Sequence, residues 1–175
     1  MKSLTRFIHM KLKFQVNRSK SAVAEPWERK FPGFSFTWTK APKRRIAPKA
    51  VQRFKERIRE LTRRTRRVSI EQMAKELAQY LRGWIGYFGK RPMPWVLHRL
   101  EEWTRRQLRS VIWKQWKRGT VRYRELRKRG VNRRLAATTA GSAHGPWRLA
   151  LSQGLAIALP NACFDSLGIP KLTVR

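Results

Sequence analysis

The stretch P-K-A-V-Q-R-F-K-E-R-I-R-E-L, from Pro48 to Leu61, decides the fold class. Its apolar residues Val51, Phe54 and Ile58 lead to Leu61 at spacings of three, four and three, which is the spacing of one face of a helix. Pro48 suits the first turn of a helix, where its missing N–H costs nothing. Most other directions around this helix carry Lys or Arg. The stretch therefore predicts a basic helix with one narrow apolar stripe.

A second helix is predicted immediately downstream. Ser69 precedes Gln72 by the spacing of a capping box, in which the first side chain accepts a hydrogen bond from the third helical N–H. The helical pattern should end near Gly86 or Gly89. Aromatic residues at helical spacing favour a core stripe over a base-stacking platform. The expected stripe is Ile70, Met73, Leu77, Tyr80, Leu81, Trp84 and Phe88.

A third helix is predicted from about Pro94 to Arg118. Its expected buried stripe is Val96, Leu100, Trp103, Gln107 and Val111, broadened by Leu97 and Leu108. A different side gathers Trp95, Arg99, Arg106, Trp113 and Lys117. Aromatic and basic side chains interleaved in this way could stack on bases and pair with phosphates. The alternative is that Trp95 and Trp113 pack against another helix, and the pattern does not decide between the two.

A short, very basic helix should follow, capped by Thr120 and closed by Gly130 at the position after its C-cap. Small residues dominate 136–145, and the apolar tail that follows predicts a docked helix or two, separated at Pro160. On the amino-terminal side, apolar and polar residues alternate from Phe34 to Trp38, the pattern of a half-buried strand.

The charge of the chain identifies a class of partner. The 175 residues hold 42 Lys and Arg against 10 Asp and Glu, a formal net charge of +32. Residues 40–67 and 101–134 contain 26 of the 42 cations. An excess of this size indicates a polyanion, of which nucleic acid is the usual one. With 41% hydrophobic residues the chain is too apolar for a disordered basic tail. These features do not distinguish RNA from DNA.

The residue inventory argues against several chemistries. One cysteine, Cys163, and three histidines make a poor structural zinc site. Asp165 is the single aspartate, so a two-metal centre of closely held carboxylates has little material. The sequence offers neither a serine-hydrolase pattern nor a phosphate-binding loop. We therefore expect no metal and no cofactor. The basic start has no continuous apolar run, so we expect neither a signal peptide nor a membrane span, and a cytoplasmic location.

Several runs resemble one family, the bacterial group II intron reverse transcriptases. K-L-K-F-Q-V-N-R-S-K-S-A-V (Lys11 to Val23) and W-E-R-K-F-P-G-F-S-F-T (Trp27 to Thr37) resemble the end of its palm. Three later runs resemble its maturase, or thumb, domain and C-terminal region. They are Q-Y-L-R-G-W-I-G-Y-F (Gln79 to Phe88), H-G-P-W-R-L-A (His144 to Ala150) and I-A-L-P-N-A-C-F-D-S-L-G-I-P (Ile157 to Pro170).

The resemblance implies a mainly α fold, a helical thumb-like bundle preceded by a short β-containing remnant of the palm. It implies a palm remnant over 1–39, an RNA-binding maturase/thumb domain over 40–134, and an apolar region over 135–175 that docks on the thumb. The implied function is to bind group II intron RNA and help it reach the fold that splices. A DNA target or a template-primer is a further implied partner, and no membrane is.

Three positions resemble functional residues of the family's polymerase. Lys20 resembles a lysine that acts as proton donor near the incoming nucleotide, and it should be idle here. Gly33 and Phe34 resemble the turn that grips the primer, although Pro32 stands where the family usually has leucine. The family's fingers and its Tyr-x-Asp-Asp motif have no counterpart, so we expect no catalysis. The alternatives are an inactive remnant, or one part of a split reverse transcriptase whose front half is separately encoded.

The predicted RNA-binding side chains come from the two basic segments and the mixed side of the third helix. They are Lys49, Arg53, Arg57, Arg63, Arg64, Arg66, Arg67, Arg99, Arg106, Trp113, Lys117, Arg122, Arg124, Arg127, Lys128 and Arg129.

Overall fold

The computed structural model describes residues 2–17, 21, 23, 25, 28, 32–39, 41, 43–63, 66, 68–89 and 94–173. The chain divides into two compact units, Met1–Ala47 and Pro48–Arg175. The predicted mainly α fold class with a short β element is confirmed. Within the described ranges, no helix combines the length and the apolar character needed to cross a membrane.

The first unit contains a helix and a small sheet. Helix α1 spans Lys2–Leu12 and buries none of its side chains. Strands β1 (Phe34–Phe36) and β2 (Arg44–Ile46) pair antiparallel. The register sets Phe34 opposite Ile46, and both side chains are buried. The predicted strand is therefore present, although it ends before Trp38, which is 82% exposed.

The second unit is helical. Its elements are α2 (Pro48–Leu61), α3 (Ile70–Phe88), α4 (Pro94–Gln115), α5 (Gly119–Lys128), α6 (Arg133–Ala140), α7 (Pro146–Leu149), α8 (Gln153–Ala158) and α9 (Asn161–Ser166). Helix α2 begins at Pro48 as predicted and buries Phe54, Ile58 and Leu61.

Helix α3 follows the sequence prediction closely. The Ser69 hydroxyl accepts a hydrogen bond from the Gln72 N–H at 3.1 Å, and Gly89 is the C-cap. Trp84 is 8% exposed, and its ring lies 4.7 Å from that of Phe54 on α2. The aromatic stripe of α3 is therefore core, because it packs against the apolar stripe of α2.

Helix α4 differs from its prediction in its buried face. It begins at Pro94 as expected but ends at Gln115, three residues before Arg118. Three of the predicted stripe residues are only partly buried: Val96, Trp103 and Gln107. Leu97, Leu100, Leu108 and Val111 are buried as predicted. The helix also buries Thr104, Arg105, Ser110, Ile112 and Trp113. Four consecutive buried residues cannot lie on one face, so the carboxyl-terminal half of α4 is covered from more than one side.

The start of α5 corrects a smaller prediction. The helix begins at Gly119, and Arg118 occupies the N-cap position without a side-chain hydrogen bond, so Thr120 is not the cap. Gly130, with φ +83°, follows the C-cap residue Arg129 as predicted. This left-handed conformation favours glycine.

The apolar tail forms short helices, and Pro160 separates α8 from α9. Leu155 and Phe164 are fully buried. Helix α6 was not predicted, because its small residues give little hydrophobic periodicity. A side chain at Gly154 would approach the Thr139 hydroxyl to 2.5 Å, so α8 lies directly against α6.

Candidate nucleic-acid interface

Helix α2 presents cations to solvent opposite its buried stripe. Lys49, Arg53 and Arg63 are exposed, and no carboxylate of the described chain pairs with them. On the wheel of the helix, Lys49 and Arg53 lie away from Phe54 and Ile58, and Arg63 follows the end of the helix at Leu61. The packing of α2 therefore directs these charges outward, where they are available to a phosphate backbone.

Two other predicted cations of this region already have acidic partners. The Arg57 Nη1 lies 2.9 Å from the Glu60 Oε2, with both side chains about half exposed. The Arg66 Nη2 lies 2.6 Å from the Glu76 Oε2, and its Nη1 donates to the Leu61 carbonyl. Hydrogen bonds from Gln72 and Arg66 lower the pKa of Glu76. Arg66 thus ties the end of α2 to α3.

Helix α5 divides its arginines between two sides. Arg122 lies over the Trp113 ring at 4.8 Å and donates to the Trp116 carbonyl. Arg129 lies 4.9 Å from the centre of the Trp116 ring and pairs with Glu125, whose pKa this hydrogen bond lowers. These two arginines serve packing within the unit.

The opposite side of α5 remains available. Arg124 and Lys128 are exposed without a carboxylate partner in the part of the chain that the structure covers. Arg127 is also exposed, although its Nη1 donates to the Val131 carbonyl at 2.7 Å. Lys117, just before the helix, is exposed as well.

Trp113 requires a correction. It is 1% exposed and covered by Trp116 and Arg122. A ring without accessible surface cannot stack on a base, so packing, the alternative that the sequence left open, is correct for this residue. Trp95 is 57% exposed, and Arg99 lies 6.0 Å from the centre of its ring.

Three arginines of α4 hold the C-terminal region. Arg105 is 2% exposed, and its Nη2 lies 2.6 Å from the Asp165 Oδ1. Arg106, predicted to bind RNA, stacks on Trp147 at 4.1 Å and donates to its carbonyl. Arg109 donates to the Leu159 carbonyl and to the Asn161 side chain. These positive charges of α4 therefore have structural partners.

Glu101 completes this attachment from the same helix. Its Oε2 accepts hydrogen bonds from the Leu172 and Thr173 N–H groups and from the Thr173 hydroxyl. The tail was predicted to dock because it is apolar, and these polar contacts were not predicted. They join residues 41 to 72 positions apart, which no local pattern can reveal.

The sequence did not predict a cluster of aromatic and basic side chains around Trp103. Lys55 and Arg59 of α2 lie over the Trp103 ring at 5.5 and 5.4 Å, and the Trp147 ring lies 6.1 Å from that of Trp103. Trp103 was predicted to belong to the buried stripe of α4, but it is only partly buried. The interleaving of aromatic and basic groups predicted for α4 therefore exists, but it is built by α2, α4 and α7 together.

The remaining predicted site residues lie in the first unit or outside the described residues. Lys20, Arg64 and Arg67 lie outside the described residues. Gly33 and Phe34 belong to the first unit, where Gly33 has φ 74° and accepts a hydrogen bond from the Ala47 N–H. Arg44 lies over the Phe34 ring at 5.3 Å.

After these assignments, one set of predicted cations remains exposed and has neither an acidic partner nor a hydrogen bond to a carbonyl among the residues described. We call this set the outer cations: Lys49, Arg53, Arg63, Arg99, Lys117, Arg124 and Lys128. A helical unit with such charges on its outer faces has the character of a protein that binds a polyanion.

Residues 51–130 match the family model of the group II intron, maturase-specific domain. The match runs from α2 through α5, and it confirms the resemblance found in the sequence. The match supports a maturase-domain function in group II intron splicing for this part of the chain. The comparison with curated proteins found no match.

Proposed function

We propose that this chain binds group II intron RNA through its outer cations and thereby helps the intron reach its splicing-competent fold. The observation that carries the proposal is the position of these cations, since six of the seven lie inside residues 51–130 and extend to Lys128 near the end of that match. Lys49 lies two residues before it. An RNA partner made in the cytoplasm also makes the cytoplasm the proposed location.

The excess of basic over acidic side chains supports a polyanionic partner. The chain has 42 basic and 10 acidic side chains, so most cations cannot find a carboxylate within it. Bound phosphates relieve the mutual repulsion of the outer cations. The counterions released from the RNA make binding more favourable. This favours a long polyanion over a small acidic ligand.

The finer proposal is that this chain binds RNA without copying it. Its one aspartate, Asp165, lies 2.6 Å from Arg105 and 3.9 Å from Lys171, so its charge is engaged in internal pairs. We propose accordingly that any reverse transcription requires a catalytic part supplied separately. A DNA target or a template-primer would then be bound only in that assembly, and an inactive remnant is the competing account.

The proposal predicts that the protein accelerates splicing. A precursor RNA carrying the intron that adjoins this reading frame is incubated at a Mg²⁺ concentration where it splices slowly alone. Wild-type protein should raise the rate, because neutralised phosphates allow the RNA to compact. The K49Q/R53Q variant should raise it less. The matched K75Q/R82Q variant removes two exposed charges from α3 and should behave as wild type.

The competing accounts are separated by the same reaction. An inactive remnant would leave the rate unchanged, and this would contradict the proposed function. A rate that rises equally with wild type and K49Q/R53Q would mean that the outer cations of α2 are not the RNA contacts.

A further inference from the structure

A cleft of about 670 Å³ lies in the second unit beside α4. Its lining includes Lys55 from α2, Arg99 and Trp103 from α4, and Leu151 and Asn161 from the C-terminal region. This volume falls within the range of small-ligand pockets and accommodates a single nucleotide. The cleft exists because the C-terminal region is held against α4 by Arg105, Arg109 and Glu101, as described above.

Two of the three acidic groups around the cleft, Glu101 and Asp165, have strong internal partners. Glu101 accepts hydrogen bonds from Leu172 and Thr173, and it lies 3.9 Å from Arg105. Glu102 lies 3.6 Å from the His98 Nδ1. Asp165, next to the cleft, pairs with Arg105. Glu101 and Asp165 thus have internal partners, and the side chain of Glu102 is 66% exposed to solvent.

Four cations around the cleft therefore have no carboxylate partner within the described chain. Lys55 lies over the Trp103 ring and Arg99 over the Trp95 ring. Arg106 and Arg109 donate to neutral oxygens of the backbone and of an amide. Burial lowers the pKa of Arg109, and the neighbouring charge of Arg105 lowers it further. The cleft thus holds excess positive charge, which an anion would stabilise.

The cleft also has an apolar side. Leu151 is 64% exposed and lines it together with the partly buried Trp103. Exposed apolar surface beside unpaired cations matches the two parts of a nucleotide, a flat base and a phosphate. A base within a duplex is stacked on both sides and cannot enter such a cleft, whereas an unpaired base can.

We propose that this cleft binds one unpaired nucleotide of the RNA, with its phosphate near Lys55 and Arg99 and its base against Trp103 and Leu151. The proposal rests on the proposed function and specifies which RNA feature the domain recognises. Single-stranded segments of an intron, such as loops and bulges, supply nucleotides of this kind.

The test compares two variants that lose the same charge. K55Q/R99Q removes two cations of the cleft, and K75Q/R82Q removes two exposed cations from α3. Binding of a fluorescent 12-nucleotide RNA, single-stranded or in a duplex, is measured by anisotropy at one salt concentration. We expect K55Q/R99Q to weaken single-strand binding about tenfold and duplex binding much less, as the loss of both phosphate contacts and stacking would do. Equal losses in the two variants would overturn the proposal.

A second measurement needs only the wild-type protein. A single-stranded RNA containing 4-thiouridine is irradiated with the protein, and the linked peptides are identified by mass spectrometry. We expect linkage to peptides containing Trp103 or Leu151, and linkage solely to other peptides would contradict the proposal. If the wild type prefers its intron RNA and links elsewhere, the cleft proposal fails while the proposed function stands. If it shows no such preference, the proposed function itself fails.

Discussion

Replacement of Asp165 by asparagine should lower the free energy of unfolding by about 3 kcal/mol. The Arg105 guanidinium is 2% exposed, and its Nη1 has no hydrogen-bond acceptor among the described residues. Asp165 is therefore the main counter-charge of the buried Arg105 guanidinium. Because Asp165 itself is 35% exposed, the expected loss lies at the low end for a broken buried pair. Urea denaturation followed by circular dichroism measures it.

The matched control for this prediction is Glu102→Gln. Glu102 is also a carboxylate of this part of the unit, but its side chain is 66% exposed, so the change should stay within about 0.5 kcal/mol. The double variant Arg105→Met with Asp165→Asn should recover much of the loss, because no buried charge remains. Equal stability of Asp165→Asn and Glu102→Gln would show that the pair does not hold the C-terminal region.

The second large effect is on the salt dependence of RNA binding. In the K49Q/R53Q variant, the slope of log K against log salt should decrease in magnitude by about 1.5, since each lost phosphate contact removes about 0.7–0.9. Both side chains lie on the exposed face of α2 without acidic partners in the described chain. Anisotropy titrations of intron RNA at several salt concentrations measure the slope.

The control for the salt slope is again K75Q/R82Q. It removes the same charge from exposed positions on α3, so the net charge of the two variants is identical. Its slope should match that of the wild type. If both variants reduce the slope equally, binding follows overall charge, and the cations of α2 have no special part in it.

The helices that the sequence predicted well are those with one main neighbour. Helices α2 and α3 each bury a single stripe, so the period of their apolar residues identifies the buried side directly. The Ser69 cap and Gly130 were predictable because their interactions are local. Local chemistry of this kind is present in the sequence itself.

Helix α4 was harder to predict because it contacts several elements. The prediction assumed that α4 packs against one neighbour and buries one stripe. In the structure, α7 and other parts of the C-terminal region cover a second side of the helix. Trp113 consequently lies in the core, and Arg106 contacts Trp147. A run of arginine in a basic protein predicts charge but not which arginines have internal partners. Only the tertiary fold separates Arg105 and Arg109 from the outer cations.

The candidate interface was predicted as a set of cations, and the structure reduces that set. The seven outer cations remain, while the cluster of Trp103, Trp147, Lys55 and Arg59 comes from three elements far apart in sequence. A pattern search along one helix cannot find such a cluster. This is the physical reason that fold class was more predictable than the site.

The most direct test of the account is a competition between two RNAs of equal length at matched salt. Labelled intron RNA is bound to the wild-type protein and displaced by unlabelled intron RNA or by an unrelated RNA. A maturase domain that recognises its intron should require at least about tenfold more of the unrelated RNA for the same displacement, at every salt concentration. Equal displacement by both RNAs at every salt concentration would contradict the account, because the positive charge would then bind any polyanion alike.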